Sequence, residues 1–137
     1  MPDAISSLLE PYSNAPIECD GFTRIAHSVL AGAGIPHSCM QGQLVSASGN
    51  DELPIHFWIQ LDDGRVIDYR ARMWLGDDAG VPHGVFKTGE YPEWNYLGNE
   101  IALPVFSPTM IQLLLWGDDR ENGQNRTLSV RPVRLRP

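Results

Sequence analysis

Three residues in this chain have types and an order that could carry acyl chemistry: Cys19, His56 and Asp68. Cys19 stands just ahead of a run with helical spacing, "IECDGFTRIAHSVLAGAGIPHS". At a helix start the unpaired backbone N–H groups and the macrodipole favour an anion, so a thiolate is stabilised there. The same N–H groups can donate to an oxyanion formed from a substrate carbonyl. A histidine that reaches the sulfur can hold it as a thiolate–imidazolium pair and later protonate the leaving group. A carboxylate on the other ring nitrogen fixes the tautomer.

The elements that must position these groups are legible in the pattern. Phe22, Ile25, Ala26, Val29, Leu30 and Ala33 form the i, i+3, i+4, i+7, i+8 stripe of a buried helix face. "GAGIP" ends that helix, with Gly32 or Gly34 as the stop and Pro36 beyond. "HSCMQGQLVSAS" alternates like a strand, "GNDELP" reads as a loop, and "IHFWIQL" is the strongest strand signal. "DDG" marks a tight hairpin, and "RVIDYRARM" is read as the next strand. With the turn at residues 62–64, His56 pairs close to residues 69–71. That puts Asp68 beside it within a residue or two of register. Trp58 alternates with His56 onto the same strand face, beside the groove the two would line. A helix followed by antiparallel strands gives an α+β domain.

"CDGFTRIAHSVLAGAGIPH" followed by "HFWIQLDDGRVIDYRARMWLG" resembles the core of the transglutaminase-like superfamily, part of the wider papain-like cysteine-enzyme fold. The shared features are a cysteine opening a helix that ends in "GIP", a strand, an "H-x-W" opening a further strand, and an Asp in the strand after it. The resemblance spans about residues 15–76 and implies a papain-like core, with the helix that carries the cysteine packed on an antiparallel sheet. It also implies Cys19 as nucleophile, His56 as base and acid, and Asp68 as orienter. Papain-like enzymes place a helper for the oxyanion ahead of the cysteine; Tyr12, Ser13 and Asn14 are the polar residues at that place, and Asn14 is the choice among them.

The rest of the chain bounds the function. Its 137 residues suit one domain over 1–137. A net charge of −7 argues against a nucleic-acid interface, which needs clustered Lys and Arg. No stretch approaches a membrane span, and "MPDAISSLLEPYSNAP" lacks the basic start of a secretory signal, so a cytoplasmic location is expected. Cys39 has no reactive partners and reads as core filler. His27, His37, His56 and His83 form no i,i+4 pair, so no metal site is expected. His27 falls on the helix face away from the apolar stripe, and His83 lies in a loop that could line a pocket. Residues 74–100 read as an ordered loop region in which Tyr91, Trp94 and Tyr96 are candidates for an exposed recognition surface. "SPTMIQLLLWG" reads as a short apolar helix capped by Ser107. The tail, with Arg126, Arg131, Arg134 and Arg136, reads as a charged edge strand.

The expected function is cofactor-free thiol chemistry on a peptide or protein substrate, cleaving a peptide or side-chain amide. Two alternatives stand beside it: a binding module that keeps the fold without catalysis, and a transglutaminase or acyltransferase that passes the acyl group to an amine.

Overall fold

Residues 4–117 are described by a computed structural model of the chain, an α+β arrangement of four short or medium helices around a five-stranded antiparallel sheet. The strands are β1 (His37–Ser46), β2 (Glu52–Leu61), β3 (Val66–Asp68), β4 (Gly84–Phe86) and β5 (Trp94–Ile101). Their order is β4-β3-β2-β1-β5, with every neighbouring pair antiparallel. The β2–β3 hairpin follows from its sequence. Asp62, Asp63 and Gly64 form a three-residue loop in which Gly64 takes a φ of 91°, a left-handed conformation open to glycine at no steric cost. The Leu61 N–H donates to the Arg65 carbonyl across the loop base, and Asp63 Oδ1 accepts from the Arg65 N–H.

The helix α2 (Cys19–Gly32) lies on one face of this sheet. Its stripe residues Phe22, Ala26 and Leu30 pack with Cys39, Ile59, Leu61, Ile67 and Tyr69, and Ile5 and Leu9 of α1 (Ala4–Leu9) join the same core. Burial of each large apolar side chain here is worth about 1.5–3 kcal/mol relative to exposure. The helix also turns Ile25 toward Ala15, Ile111 and Leu115, a second small core. It stops where expected: the Ile35 N–H returns to the Leu30 carbonyl, and Gly34 adopts a φ of 73°. None of the described helices is long and apolar enough to cross a membrane.

The opposite face of the sheet buries aromatic rings. Trp58 is 2% exposed and packs with Val66, Phe86, Met40, Tyr91 and Tyr96. Phe86 and Tyr96 belong to the two edge strands, yet their ring centroids are 6.2 Å apart. The sheet is therefore curled enough for its edges to meet over Trp58. Close approach of β1 and β5 makes this possible. A Cβ on Gly98 would stand 2.4 Å from the Gln41 carbonyl oxygen and 2.8 Å from the Trp58 ring. Gly42 is equally constrained, with the Leu97 carbonyl 2.1 Å from where its Cβ would be.

Three expectations change. The strand read from "RVIDYRARM" ends at Asp68, and residues Ala71–Leu75 form a short helix, α3. Asp68 causes the switch: its Oδ1 accepts from the backbone N–H groups of both Arg70 and Ala71, bending the chain out of the sheet. The region read as loop contains β4 and β5. Tyr91, Trp94 and Tyr96 accordingly pack inward on the curled face and do not form an exposed surface. Helix α4 (Pro108–Gln112) is capped by Ser107, whose Oγ accepts from the Met110 N–H, and it buries Ile111 while Met110 stays exposed. The arginine-bearing tail lies outside the described residues.

Candidate active site

His56 and Asp68 lie on neighbouring strands. The β2–β3 pairs Ile59↔Ile67 and Gln60↔Val66 continue to set Asp68, the last residue of β3, level with Trp58, so His56, two residues back on β2, is its diagonal neighbour on the same face. The diagonal is closed by a hydrogen bond of 2.7 Å from His56 Nε2 to Asp68 Oδ2. His56 is fully buried and Asp68 nearly so. Every acceptor direction of the carboxylate is used: Oδ2 also accepts from the Tyr96 hydroxyl at 2.8 Å, while Oδ1 takes the two backbone N–H groups at 3.0 and 3.1 Å.

This environment sets the charges. Burial alone pushes the Asp68 carboxyl up, but the His56 charge and the donated hydrogen bonds hold it below the ordinary carboxylate range. Burial likewise lowers His56, yet the charge and hydrogen bond of Asp68, with further contributions from Cys19, carry it up to about 10. At neutral pH the pair is an imidazolium held by a carboxylate. Burial beside Asp68 pushes the Tyr96 phenol up, so it remains a donor.

With Nε2 committed to Asp68, Nδ1 is the ring nitrogen left for Cys19. The thiol acts on the imidazole both by charge and by hydrogen bonding. At the same time Nδ1 is buried and, among the described residues, meets no atom in full hydrogen-bond geometry. The two observations describe a sulfur within electrostatic reach but not fully aligned, the looser geometry common in catalytic pairs before substrate arrives. Cys19 is half-buried at the first position of α2, where the leading N–H groups have no main-chain acceptor within the helix and that of Gly21 donates to Asp20 Oδ1 at 2.8 Å.

A residue absent from the sequence reading of the site holds Cys19 in place. Arg70 is 4% exposed. Its guanidinium donates to five main-chain carbonyls: Ile17 from Nε at 2.7 Å, Ser13 and Tyr69 from Nη1 at 2.8 and 2.9 Å, and Ala15 and Tyr12 from Nη2 at 3.0 and 3.4 Å. It also lies 4.6 Å above the ring of Phe22 on the first turn of α2. The segment leading into Cys19 is thereby tied to the strand end that carries Asp68.

Among the expected site residues, Cys19, His56 and Asp68 come together. Trp58 stacks beside His56 with centroids 6.1 Å apart and forms the floor beneath it, with its indole N–H buried and without a hydrogen-bond partner among the described residues. Asn14 sits exposed in the turn before Cys19, and no hydrogen bond ties it to the three. His83 is exposed, edge-on to Tyr69 at 5.2 Å, and its pKa is lowered by burial and by the Arg72 charge. Tyr96 and Arg70 are the residues sequence reasoning missed. Tyr96 stood in an unrecognised strand, and the acceptors of Arg70 are main-chain carbonyls that leave no mark in the sequence.

Comparison with protein-family models, curated proteins and solved structures finds no match for the chain.

Proposed function

We propose that the protein is a thiol-dependent acyl-transfer enzyme of transglutaminase-like type that hydrolyses a peptide bond or a side-chain amide. One observation carries the reading: a fully buried imidazole is locked to Asp68 through Nε2 and keeps Nδ1 for the thiol at the start of α2. A structural histidine gains nothing from such an arrangement, because burying a polar nitrogen without a partner is costly. The finer fold reading, a papain-like core, is supported by a helix that opens at the thiol and packs on a curled antiparallel sheet holding the other two groups on adjacent strands.

In the proposed reaction the Cys19 sulfur, as thiolate, attacks the amide carbonyl carbon. The N–H groups at the start of α2 donate to the oxyanion. His56 Nδ1–H protonates the leaving nitrogen, the C–N bond breaks, an amine departs and a thioester remains. Once the sulfur is acylated, its contribution to the raised His56 pKa is gone, and the imidazole moves toward the neutral base that the next step needs. His56 then accepts a proton from water, the hydroxide attacks the thioester, and the C–S bond breaks to return thiolate, imidazolium and a carboxylic acid. Asp68 and Tyr96 keep the ring orientation fixed throughout.

The test is the pH dependence of iodoacetamide labelling at Cys19, resolved from Cys39 by peptide mass mapping, in wild type and in His56→Ala. Rapid labelling below pH 7 that is lost in the variant is expected. Slow labelling with the pH dependence of an ordinary thiol, unchanged in His56→Ala, refutes the enzyme reading and leaves the binding module.

A further inference from the structure

A second cluster of nitrogen and sulfur groups lies farther along α2, away from Cys19. His27 is eight residues on, about 12 Å along the helix axis. Contrary to the expected exposed face, it is half-buried, and its Nδ1 is 2.7 Å from Nε2 of His37, the first residue of β1. Cys39, two residues on and on the same face of β1, is buried, and its Sγ and the two ring nitrogens lie within 4.8 Å of one another. Sequence spacing hid the cluster because a helix turn and a chain reversal separate its members.

The tautomers follow from the outer partners. His27 Nε2 faces the Leu103 carbonyl at 3.0 Å, and His37 Nδ1 faces the Ile35 carbonyl at 2.7 Å. A carbonyl oxygen only accepts, so each of these nitrogens carries the hydrogen. In the neutral rings the two inward nitrogens are then both bare, and two lone pairs at hydrogen-bonding distance repel unless a cation lies between them. That cation is either a proton or a metal ion.

We propose that His27, His37 and Cys39 form a three-ligand site for a zinc-class divalent cation. Each imidazole donating its outer N–H to a backbone carbonyl is the supporting arrangement that metal-bound histidines use, and it aims both free nitrogens at one point. Two imidazoles and a thiolate are a donor set suited to Zn²⁺, with a fourth position for water. Metal–nitrogen bonds of about 2.0–2.1 Å in a tetrahedron need the nitrogens about 3.4 Å apart, so the rings, 2.7 Å apart at these atoms, must part by about 0.7 Å. A bridging proton satisfies the two imidazoles alone, whereas the Cys39 sulfur, within 4.8 Å of both nitrogens, completes a ligand set for a metal ion. Ligation by the Cys39 sulfur would displace its proton, releasing one per ion bound. The site would clamp the second half of α2 to β1 and to the chain at Leu103. It does not depend on the chemistry proposed for Cys19.

The test uses tag-free protein carrying Cys19→Ala, which leaves Cys39 as the only thiol in the chain. Titration with Co²⁺ is expected to give one equivalent bound, with a near-ultraviolet thiolate-to-cobalt charge-transfer band that Zn²⁺ abolishes. The band should vanish in Cys39→Ser. His37→Gln, at a half-buried position, should weaken Co²⁺ binding at least tenfold. Wild type should also melt at a higher temperature with Zn²⁺ than with EDTA. Absence of the band in the Cys19→Ala protein, or full Co²⁺ affinity in folded His37→Gln, overturns the proposal. So does a proton resonance shared by His27 and His37 that Zn²⁺ leaves unchanged.

Discussion

Replacing Arg70 with methionine removes the clamp on the segment ahead of Cys19 while keeping an unbranched side chain over Phe22. Five carbonyls lose the guanidinium, although that of Ala15 keeps the Ile17 N–H and that of Tyr12 keeps the Ala15 N–H. Those of Tyr69 and Ala15 are bonded in buried surroundings, and those of Ile17, Ser13 and Tyr12 in partly exposed ones, where water can take the place of the guanidinium. The two buried bonds, to the Tyr69 and Ala15 carbonyls, are charge-assisted, and losing each costs about 1.5–3 kcal/mol. Relief of the desolvation cost of the cation offsets part of that sum. The net expectation is a loss of about 3–4 kcal/mol, large against the roughly 5–15 kcal/mol typical of a domain but short of unfolding it in water. Urea unfolding followed by tryptophan fluorescence should show the midpoint falling with the slope unchanged. Arg70→Lys, with three N–H groups for five acceptors, should lose about 2 kcal/mol. In both folded variants iodoacetamide labelling of Cys19 should slow, because the thiol is no longer held against His56. A loss below about 1 kcal/mol in Arg70→Met, with labelling unchanged, would refute the inference that Arg70 positions Cys19.

The buried pair makes stability depend on pH. His56 is raised from 6.5 to about 10, so its contribution is complete below pH 6.5 and is lost as pH climbs through 10; Asp68 is lowered from 3.8, so its contribution is present above that value and fades in acid. Unfolding free energy measured across pH should therefore decline from 6.5 to 10, and this slope should flatten in Asp68→Asn; a flat wild-type profile contradicts the assigned charges. Tyr96→Phe removes one donor from the carboxylate and should cost about 1–2 kcal/mol, with the acid unfolding midpoint moved to higher pH; an unmoved midpoint would show that the hydroxyl does not hold Asp68. Gly98→Ala forces a methyl against the Gln41 carbonyl and Trp58, and should cost about 3 kcal/mol or more. Gly32→Ala meets nothing within 4 Å and should leave the thermal midpoint equal or higher; equal losses in the two would contradict the close approach of β1 and β5.

Local signals in the sequence were reliable where a short stretch carries its own physics. The apolar stripe from Phe22 to Leu30 defined α2, "DDG" defined the β2–β3 hairpin, and Ser107 with Pro108 defined the start of α4. These features depend on periodicity, turn conformation and capping, all set within a few residues. β5 escaped because "WNYLGNE" is interrupted by Gly98, which reads as a loop signal. Its reason for being there, the Trp58 ring and the Gln41 carbonyl against its Cα, belongs to other strands. The strand expected through Met73 ended early because the Asp68 side chain captured two backbone N–H groups that a ladder would have used.

The sequence by itself determined that Cys19 opens a helix, that His56 and Asp68 stand on adjacent strands, and that a hairpin of known length keeps them within a residue or two of register. Tertiary structure alone decided the rest. It brought Tyr96 from an edge strand onto the Asp68 carboxylate and spread the Arg70 guanidinium over carbonyls more than fifty residues away in the chain. It also set His27 against His37 across the join of a helix and a strand. Such contacts depend on how a curled sheet and a helix meet in space. Hydrogen bonds to main-chain carbonyls are open to any residue that arrives there, so no pattern of side chains announces them in advance.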